Sequence, residues 1–178
     1  MYWYVLFVMT GYEHKTVKEI SRTWLKEGLT PFVPMYDARF RRAGKVILEK
    51  RRLIPGYVFL ESPMRGLDFY LSVRPLISRS EYALKLLRHG TGNLNHNFEM
   101  NEAEGSFLQK IFNHEYCVEM SKGIIEGTTV KVTSGPLEGH EGLITKVNRH
   151  KMQAEITMAF MNASRKFKVG LEVVEKIL

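Results

Sequence analysis

Arg52-Leu-Ile-Pro-Gly-Tyr-Val-Phe-Leu-Glu61 is the stretch that decides the fold of the first half of the chain. Its residues 57–60 form an unbroken apolar run of aromatic and branched side chains, which predicts a strand covered on both faces. Pro55 cannot donate to a β-ladder and Gly56 lets the backbone bend, so the two residues predict the entry to that strand. A strand this apolar must be covered by other strands and helices, and the flanking sequence contains candidates for these elements.

Length and composition indicate a globular protein with room for two domains. The 178 residues are 44% hydrophobic and 25% charged, which allows a domain of about 110 residues and a second, smaller one. No apolar run approaches the roughly 18 residues of a membrane-spanning helix, and residues 1–9 lack the basic leader and cleavage site of a signal peptide. The single cysteine, Cys117, excludes an internal disulfide. We therefore expect a cytoplasmic protein without a membrane partner.

The charge of the chain favours an anionic partner. The net charge is +7, with 17 Lys and Arg against 12 Asp and Glu in residues 1–115 and 9 against 7 in residues 116–178. Residues 39–52 concentrate this excess around an Ala43-Gly44 turn signal, which predicts a basic β-hairpin. The hairpin is either a solvated ribbon or a finger that follows phosphates. Its cations are Arg39, Arg41, Arg42, Lys45, Lys50, Arg51 and Arg52, and only Glu49 opposes them.

The remaining patterns predict an α+β sandwich followed by a small β-barrel. In the first part they indicate a strand at 2–9, a helix capped by Thr10 and Glu13 that includes Trp24 and Leu25, an edge strand at 29–34, a helix at 64–74 stopped by Pro75, and a helix from Asn101 to about Asn113. From residue 124 five short strands are predicted at 129–132, 142–147, 152–160, 165–170 and 173–177. So small a sheet must close to hide its edges. The glycines of Gly90-Thr-Gly92 are too few to predict a phosphate-binding loop.

Two sets of motifs, in this order, carry a resemblance that covers nearly the whole chain. The N-terminal set is Trp3-Tyr4-Val5, Gly11-Tyr12-Glu13 and Pro55-Gly56-Tyr57-Val58. The C-terminal set is Val130-Lys-Val-Thr-Ser-Gly135-Pro136-Leu137, Gly139, Glu141-Gly142 and Ile144. With these motifs the chain resembles the NusG family of transcription elongation factors. The resemblance implies an N-terminal NGN α/β sandwich with a mostly antiparallel sheet over residues 1–113, a connector at 114–123 and a five-stranded SH3-like KOW barrel at 124–178.

The family resemblance also implies a non-enzymatic processivity factor that binds RNA polymerase. The NGN domain is expected to dock on the clamp helices of the largest polymerase subunit, as a monomer. By position the docking surface is Trp3, Tyr4, Phe7, Ile54, Tyr57 and Phe59, although Trp3, Phe7 and Phe59 are equally consistent with plain core. The basic hairpin, with Arg39, Arg41, Arg42, Lys45 and Lys50, is expected to lie toward the non-template DNA strand of the transcription bubble.

Departures from the housekeeping pattern resemble the LoaP antiterminators. They are the longer stretch at 78–97, the connector through Gly123 and the basic segment Arg149-His-Lys151. That resemblance implies a second partner, an RNA hairpin in the leader of an operon, and the barrel offers cations for it. The candidate RNA-binding residues are Lys131, Lys146, Arg149, His150, Lys151, Arg165, Lys166 and Lys168. A merely solubilising surface is the alternative.

Three other functions compete with this one. An enzyme needs converging carboxylates, a metal cluster or an activated nucleophile, and the six histidines have no paired ligand spacing, so neither cofactor nor metal is expected. A housekeeping elongation factor, whose barrel recruits a termination factor or a ribosomal protein, stays open. A paralogue whose C-terminal half turns helical is disfavoured by the β-branched, alternating strands from Thr129 to Val169.

Overall fold

The computed structural model describes residues 1–24, 28–89 and 97–177, without the side chains of Trp24 and Arg41. The predictions for Leu25 and for Gly90-Thr-Gly92 lie outside these residues. The chain forms two compact units, one of Met1–Pro34 with Ile54–Gly105 and one of Met35–Leu53 with Ser106–Leu178. The predicted division into 1–113, 114–123 and 124–178 stays a prediction. None of the helices in the described ranges has the length and apolarity that a membrane crossing requires.

The first unit is built on a four-stranded antiparallel sheet. Its elements are β1 (Tyr2–Val8), α1 (Glu13–Trp24), β2 (Thr30–Phe32), β5 (Tyr57–Ser62), α2 (Gly66–Arg79) and β6 (Ala83–Leu86); two strands of the second unit, β3 (Met35–Arg42) and β4 (Lys45–Arg52), lie between β2 and β5 in the chain. The strand order is β2-β5-β1-β6. The apolar strand at 57–62 is therefore central and β2 lies at an edge, and both predictions are confirmed.

The two faces of this sheet differ in what covers them. Side chains alternate along β1, and Tyr4 and Leu6 lie on the face that packs against α1 and α2. Buried Ile20 of α1 and Phe69 and Val73 of α2 contribute the helical side of that layer. The opposite face contains Trp3, Val5 and Phe7, which pair with alternate residues of β5.

Helix α2 extends beyond the predicted stop. Pro75 lies inside the helix, which continues to Arg79. A proline removes one backbone hydrogen bond, but helices in proteins are stabilised mainly by packing of their apolar face. Phe69 and Val73 are buried on that face, so the helix tolerates the proline.

Glu13 fastens the start of α1 to the entry of β5. The side chain is fully buried; one carboxylate oxygen accepts from the Gly11 amide at 2.9 Å and the other from the Gly56 amide at 2.7 Å. Gly56 has φ +85°, and an added Cβ would lie 3.1 Å from Thr10 Oγ1. The predicted cap at Thr10 is wrong in detail, because α1 begins at Glu13 itself.

The second unit contains a three-stranded and a five-stranded sheet. Its elements are β3 (Met35–Arg42), β4 (Lys45–Arg52), α3 (Glu102–Ile111, which begins in the first unit), β7 (Cys117–Val118), β8 (Ser121–Glu126), β9 (Thr129–Ser134), β10 (Ile144–Asn148), β11 (Gln153–Phe160) and β12 (Ala163–Ile177). The sheet orders are β4-β3-β7 and β10-β11-β12-β8-β9. The Asn101 cap of α3 is confirmed, since Asn101 Oδ1 accepts from the Ala103 amide at 2.9 Å.

The five strands of the second sheet are not the five that the sequence predicted. The segments predicted at 165–170 and 173–177 are one strand, β12, which pairs with β11 through Gly170 and with β8 from Leu171 onward. Within the pairing with β8, the register shifts between Val173 and Glu175. The additional strand is β8, which begins inside the predicted connector. Together the units form a mixed α+β fold with an N-terminal α/β part and a C-terminal β part.

Replacing Glu13 by Gln is expected to lower the free energy of unfolding by about 1–3 kcal/mol. The amide keeps only one acceptor oxygen, so one of the two backbone N–H groups at Gly11 and Gly56 loses its partner. Urea denaturation measures the change, with Glu138→Gln at an exposed turn as the control. Equal stability of the two variants would contradict this role of Glu13.

Gly170→Ala is expected to destabilise the second unit by about 1–3 kcal/mol. A Cβ at this position would lie 2.5 Å from the Asp37 carbonyl oxygen and would also collide with Met120 Sδ. Gly142→Ala is the matched control, because nothing lies within 4 Å of its Cβ position. Thermal unfolding followed by circular dichroism compares the two; a lower midpoint for Gly142→Ala alone would contradict the prediction.

Candidate functional site

The predicted polymerase-binding residues divide into buried and accessible ones. Trp3 and Phe59 are buried in an aromatic cluster with Phe32, with ring centroids of Trp3 5.3 Å from Phe32 and 6.0 Å from Phe59. Phe7 is 37% exposed. Tyr57 is half-buried, and its ring centroid lies 5.4 Å from that of Phe7. The register pairs Phe7 with Tyr57, so the two rings form one accessible patch at the end of the sheet face.

Tyr4 and Ile54 do not belong to this patch. Tyr4 points to the opposite face, where its ring stacks on Phe69 and its hydroxyl donates to the Met64 carbonyl at 2.8 Å. Burial is the main reason that the pKa of the Tyr4 hydroxyl is raised. Ile54 is buried. Neither side chain is therefore accessible to a partner at this patch.

The basic stretch forms the predicted hairpin. Strands β3 and β4 pair from Met35↔Arg52 to Arg42↔Lys45, and Ala43 and Gly44 form the turn with φ 50° and 76°. Positive φ at both turn residues is the requirement of a type I′ two-residue hairpin loop. The prediction of a hairpin is confirmed.

Acidic partners neutralise the cations at the base of the hairpin. Arg39 Nη1 lies 2.7 Å from Glu172 Oε2 on β12, and the Lys50 ammonium donates to Glu115. That hydrogen bond is the main reason that the pKa of Lys50 is raised and that of Glu115 lowered. A further cation, Arg51, is paired with Glu49.

The tip of the hairpin keeps its positive charge. Among the described side chains, Arg42 and Lys45 form no ion pair, and both are exposed. The side chain of Arg41 lies outside the described ones. Among the four described side chains of the predicted set, Arg42 and Lys45 are thus the two whose charge is available to an anion.

Six of the eight predicted RNA-binding residues of the barrel form two groups. Arg149, His150 and Lys151 are exposed on the β10–β11 turn, which is fixed by a 2.9 Å hydrogen bond from the Lys151 amide to Asn148 Oδ1. Three more form a row on the outer face of the sheet: Lys146 on β10 and Lys166 and Lys168 on β12.

Two predicted residues stand apart from this row. Arg165 pairs with Met158 and has the same parity along β12 as the buried Phe167, so it does not share the sheet face of Lys166 and Lys168. Its side chain is nevertheless exposed near the start of the strand. Lys131 lies on β9, at the other edge of the sheet order.

The sequence prediction missed Glu155 at the centre of the lysine row. Glu155 pairs with both Lys146 and Lys168, and Lys166 Nζ lies 3.5 Å from Glu155 Oε1. The alternation of Glu155 with buried Ala154 would have placed it on the outer face. Its neighbours across the sheet depend on register, which a single strand does not reveal.

The described residues contain neither a metal-binding cluster nor an activated thiol. In residues 1–24, 28–89 and 97–177, no three His, Cys, Asp or Glu side chains come together as possible metal ligands. Burial, followed by the nearby Asp37 carboxylate, raises the pKa of the Cys117 thiol to about 12. A thiol with this pKa stays protonated and is a poor nucleophile.

Comparison with known proteins agrees with the architecture. Residues 1–98, more than half of the chain, match the family model "Transcription termination factor nusG", and residues 126–158 match the "KOW motif" model. A relative from Borreliella burgdorferi, "Transcription termination/antitermination protein NusG", is 22% identical over 98% of each chain.

A solved structure shares the fold. It is described as "Domain interaction in Thermotoga maritima NusG" and superposes with a TM-score of 0.51 at 21% identity, covering 97% of this chain and 93% of that chain. The family model, the KOW motif and this likeness agree with the two-part architecture. The chain belongs to the NusG family of transcription factors.

Proposed function

We propose that the chain is a transcription processivity and antitermination factor that binds RNA polymerase and an RNA hairpin. NusG-family proteins bind RNA polymerase. The finer proposal is that residues 1–113 dock on the clamp helices of the largest subunit, that 114–123 connect, and that 124–178 bind the RNA. The factor acts in the cytoplasm as a monomer and without enzymatic activity.

The accessible aromatic patch supports the polymerase contact. Phe7 and Tyr57 are adjacent on the rigid central strands β1 and β5. Aromatic side chains on a fixed scaffold contribute much binding energy because few rotamers are lost on association. The buried side chains of Trp3 on β1 and Phe59 on β5 stabilise the two strands that carry the patch.

The hairpin tip supports a contact with the non-template DNA strand. Arg42 and Lys45 are exposed and face each other across the turn. Such a contact requires protein cations along the phosphate backbone of the single-stranded DNA. It does not require recognition of the bases. The paired cations Arg39 and Lys50 are less available for it.

The observation that carries the RNA proposal is the basic surface of the barrel. Lys146, Lys166 and Lys168 form a row on one sheet face, and the adjacent β10–β11 turn adds Arg149 and Lys151. A cluster of exposed cations with fixed spacing can contact an RNA backbone and reach the bases of an opened loop. This is the feature that the LoaP-type antiterminator hypothesis requires.

A housekeeping elongation factor is the second candidate. Val174 and Ile177 on β12 are 58% and 45% exposed and offer the barrel an apolar surface for a protein partner. In that case the basic surface serves solubility, and a termination factor or ribosomal protein binds the barrel.

Selection from a random RNA pool at physiological salt separates the two candidates. The full-length chain is expected to enrich one hairpin family. Replacing both Arg149 and Lys151 by Ala should weaken that binding and reduce the slope of affinity against salt by about two, because two phosphate contacts are lost. Enrichment of no sequence would reject the antitermination proposal in favour of the housekeeping one.

Phe7→Ala and Tyr57→Ala are each expected to weaken binding to core RNA polymerase by about tenfold. Both variants remove accessible ring surface. Leu71→Ala removes an exposed side chain from α2 and is the control. Fluorescence anisotropy with labelled protein measures the affinities; a loss in the control of the same size would exclude the patch as the docking site.

A further inference from the structure

A β-bulge at Thr145 decides which side chains of β10 reach the outer face of the barrel. Ile144 pairs with Ile156, but the register then shifts and Lys146 pairs with Glu155. Without the extra residue, Lys146 would oppose the buried Ala154. Because a bulge turns the following side chains to the opposite face, Thr145 places Lys146 beside Glu155.

Glu155 is thereby enclosed by three lysines. Lys146 and Lys168 pair with it from the strands on either side, and paired side chains have Cβ atoms about 5 Å apart. Lys166 approaches along β12, with its Nζ 3.5 Å from Glu155 Oε1. The three lysines are exposed and the Glu155 side chain retains 27% exposure. A ligand on this face can reach all four groups.

Neither stability nor phosphate attraction accounts for the carboxylate. Lys166 is 67% exposed, and ion pairs so exposed contribute little to folding. A surface that only attracts phosphates loses affinity when a negative charge stands at its centre. A carboxylate accepts hydrogen bonds and donates none, so Glu155 suits a ligand that brings N–H donors as well as phosphates.

We propose that Glu155 recognises an unpaired guanine in the RNA, while Lys146, Lys166 and Lys168 bind the flanking phosphates. The inference rests on the proposed RNA function and names the specificity residue of that site. Guanine presents two parallel donors, N1–H and the N2 amino group, which match the two oxygens of a carboxylate as a guanidinium does. Other bases offer one such donor group on that edge.

The RNA context follows from the same chemistry. Base edges with free donors are accessible where a hairpin opens into a loop or bulge, because the bases are unpaired there. The ammonium of Lys166, which contacts Glu155 in the free protein, moves to a phosphate when the RNA binds. The carboxylate then accepts from the base.

The test uses the full-length chain with Glu155→Gln, Lys168→Ala and, as a control, Glu126→Gln at an exposed position of β8. Each protein selects from the same random RNA pool at physiological salt. The affinities are then measured for the RNA enriched by the wild-type chain and for copies in which each loop guanine is replaced by inosine, which lacks only the N2 amino group.

The wild-type chain is expected to bind one inosine copy about tenfold more weakly than the original RNA. The Glu155→Gln variant is expected to bind that copy and the original RNA with equal affinity. Lys168→Ala should weaken every RNA alike and reduce the salt slope by about one, and Glu126→Gln should behave as wild type. If no inosine copy weakens the wild-type chain, or if Glu155→Gln shows the same inosine loss, Glu155 does not recognise guanine while the antitermination proposal stands. If the wild-type chain enriches no sequence, both proposals fail.

Discussion

The first unit depends on one buried carboxylate. The two oxygens of Glu13 accept from the backbone N–H groups of Gly11 and Gly56, and both glycines have positive φ. A buried charge is tolerated only when hydrogen bonds replace its water. The helix start, the end of β1 and the entry of β5 are therefore fixed relative to each other. Phe7 and Tyr57, the accessible aromatic pair, lie beside this junction and take their position from it.

The number of cations in the hairpin sequence overstates the positive charge that is available to a ligand. The sequence places seven cations in residues 39–52, but the fold pairs Arg39 with Glu172 and Lys50 with Glu115, both far away in the chain. These pairs tie the base of the hairpin to its surroundings in the second unit. Positive charge remains at the turn, where Arg42 and Lys45 project.

Local patterns predicted the elements well and their partners poorly. The apolar run at 57–60, the Ala43-Gly44 turn and the Asn101 cap each depend on neighbouring residues, and the structure has the strand, the hairpin and the helix there. The prediction that this helix stops at Pro75 is wrong, because the packing of α2 contributes more stability than the hydrogen bond lost at the proline. The continuous β12 and the surroundings of Glu155 depend on register between distant strands, which no local pattern contains.

The course of β12 has a consequence for how the barrel is assembled during synthesis. Strand β8 is made before β9, β10 and β11, yet its parallel partner is the second half of β12. Until that segment is available, β8 and β9 form an isolated hairpin, which is marginally stable in water. Closing a parallel pair across so many residues is slow, and it leaves the edge of β8, with Ile124 and Ile125, unpaired in the meantime. The nascent barrel thus exposes this edge of β8 until β12 pairs with it.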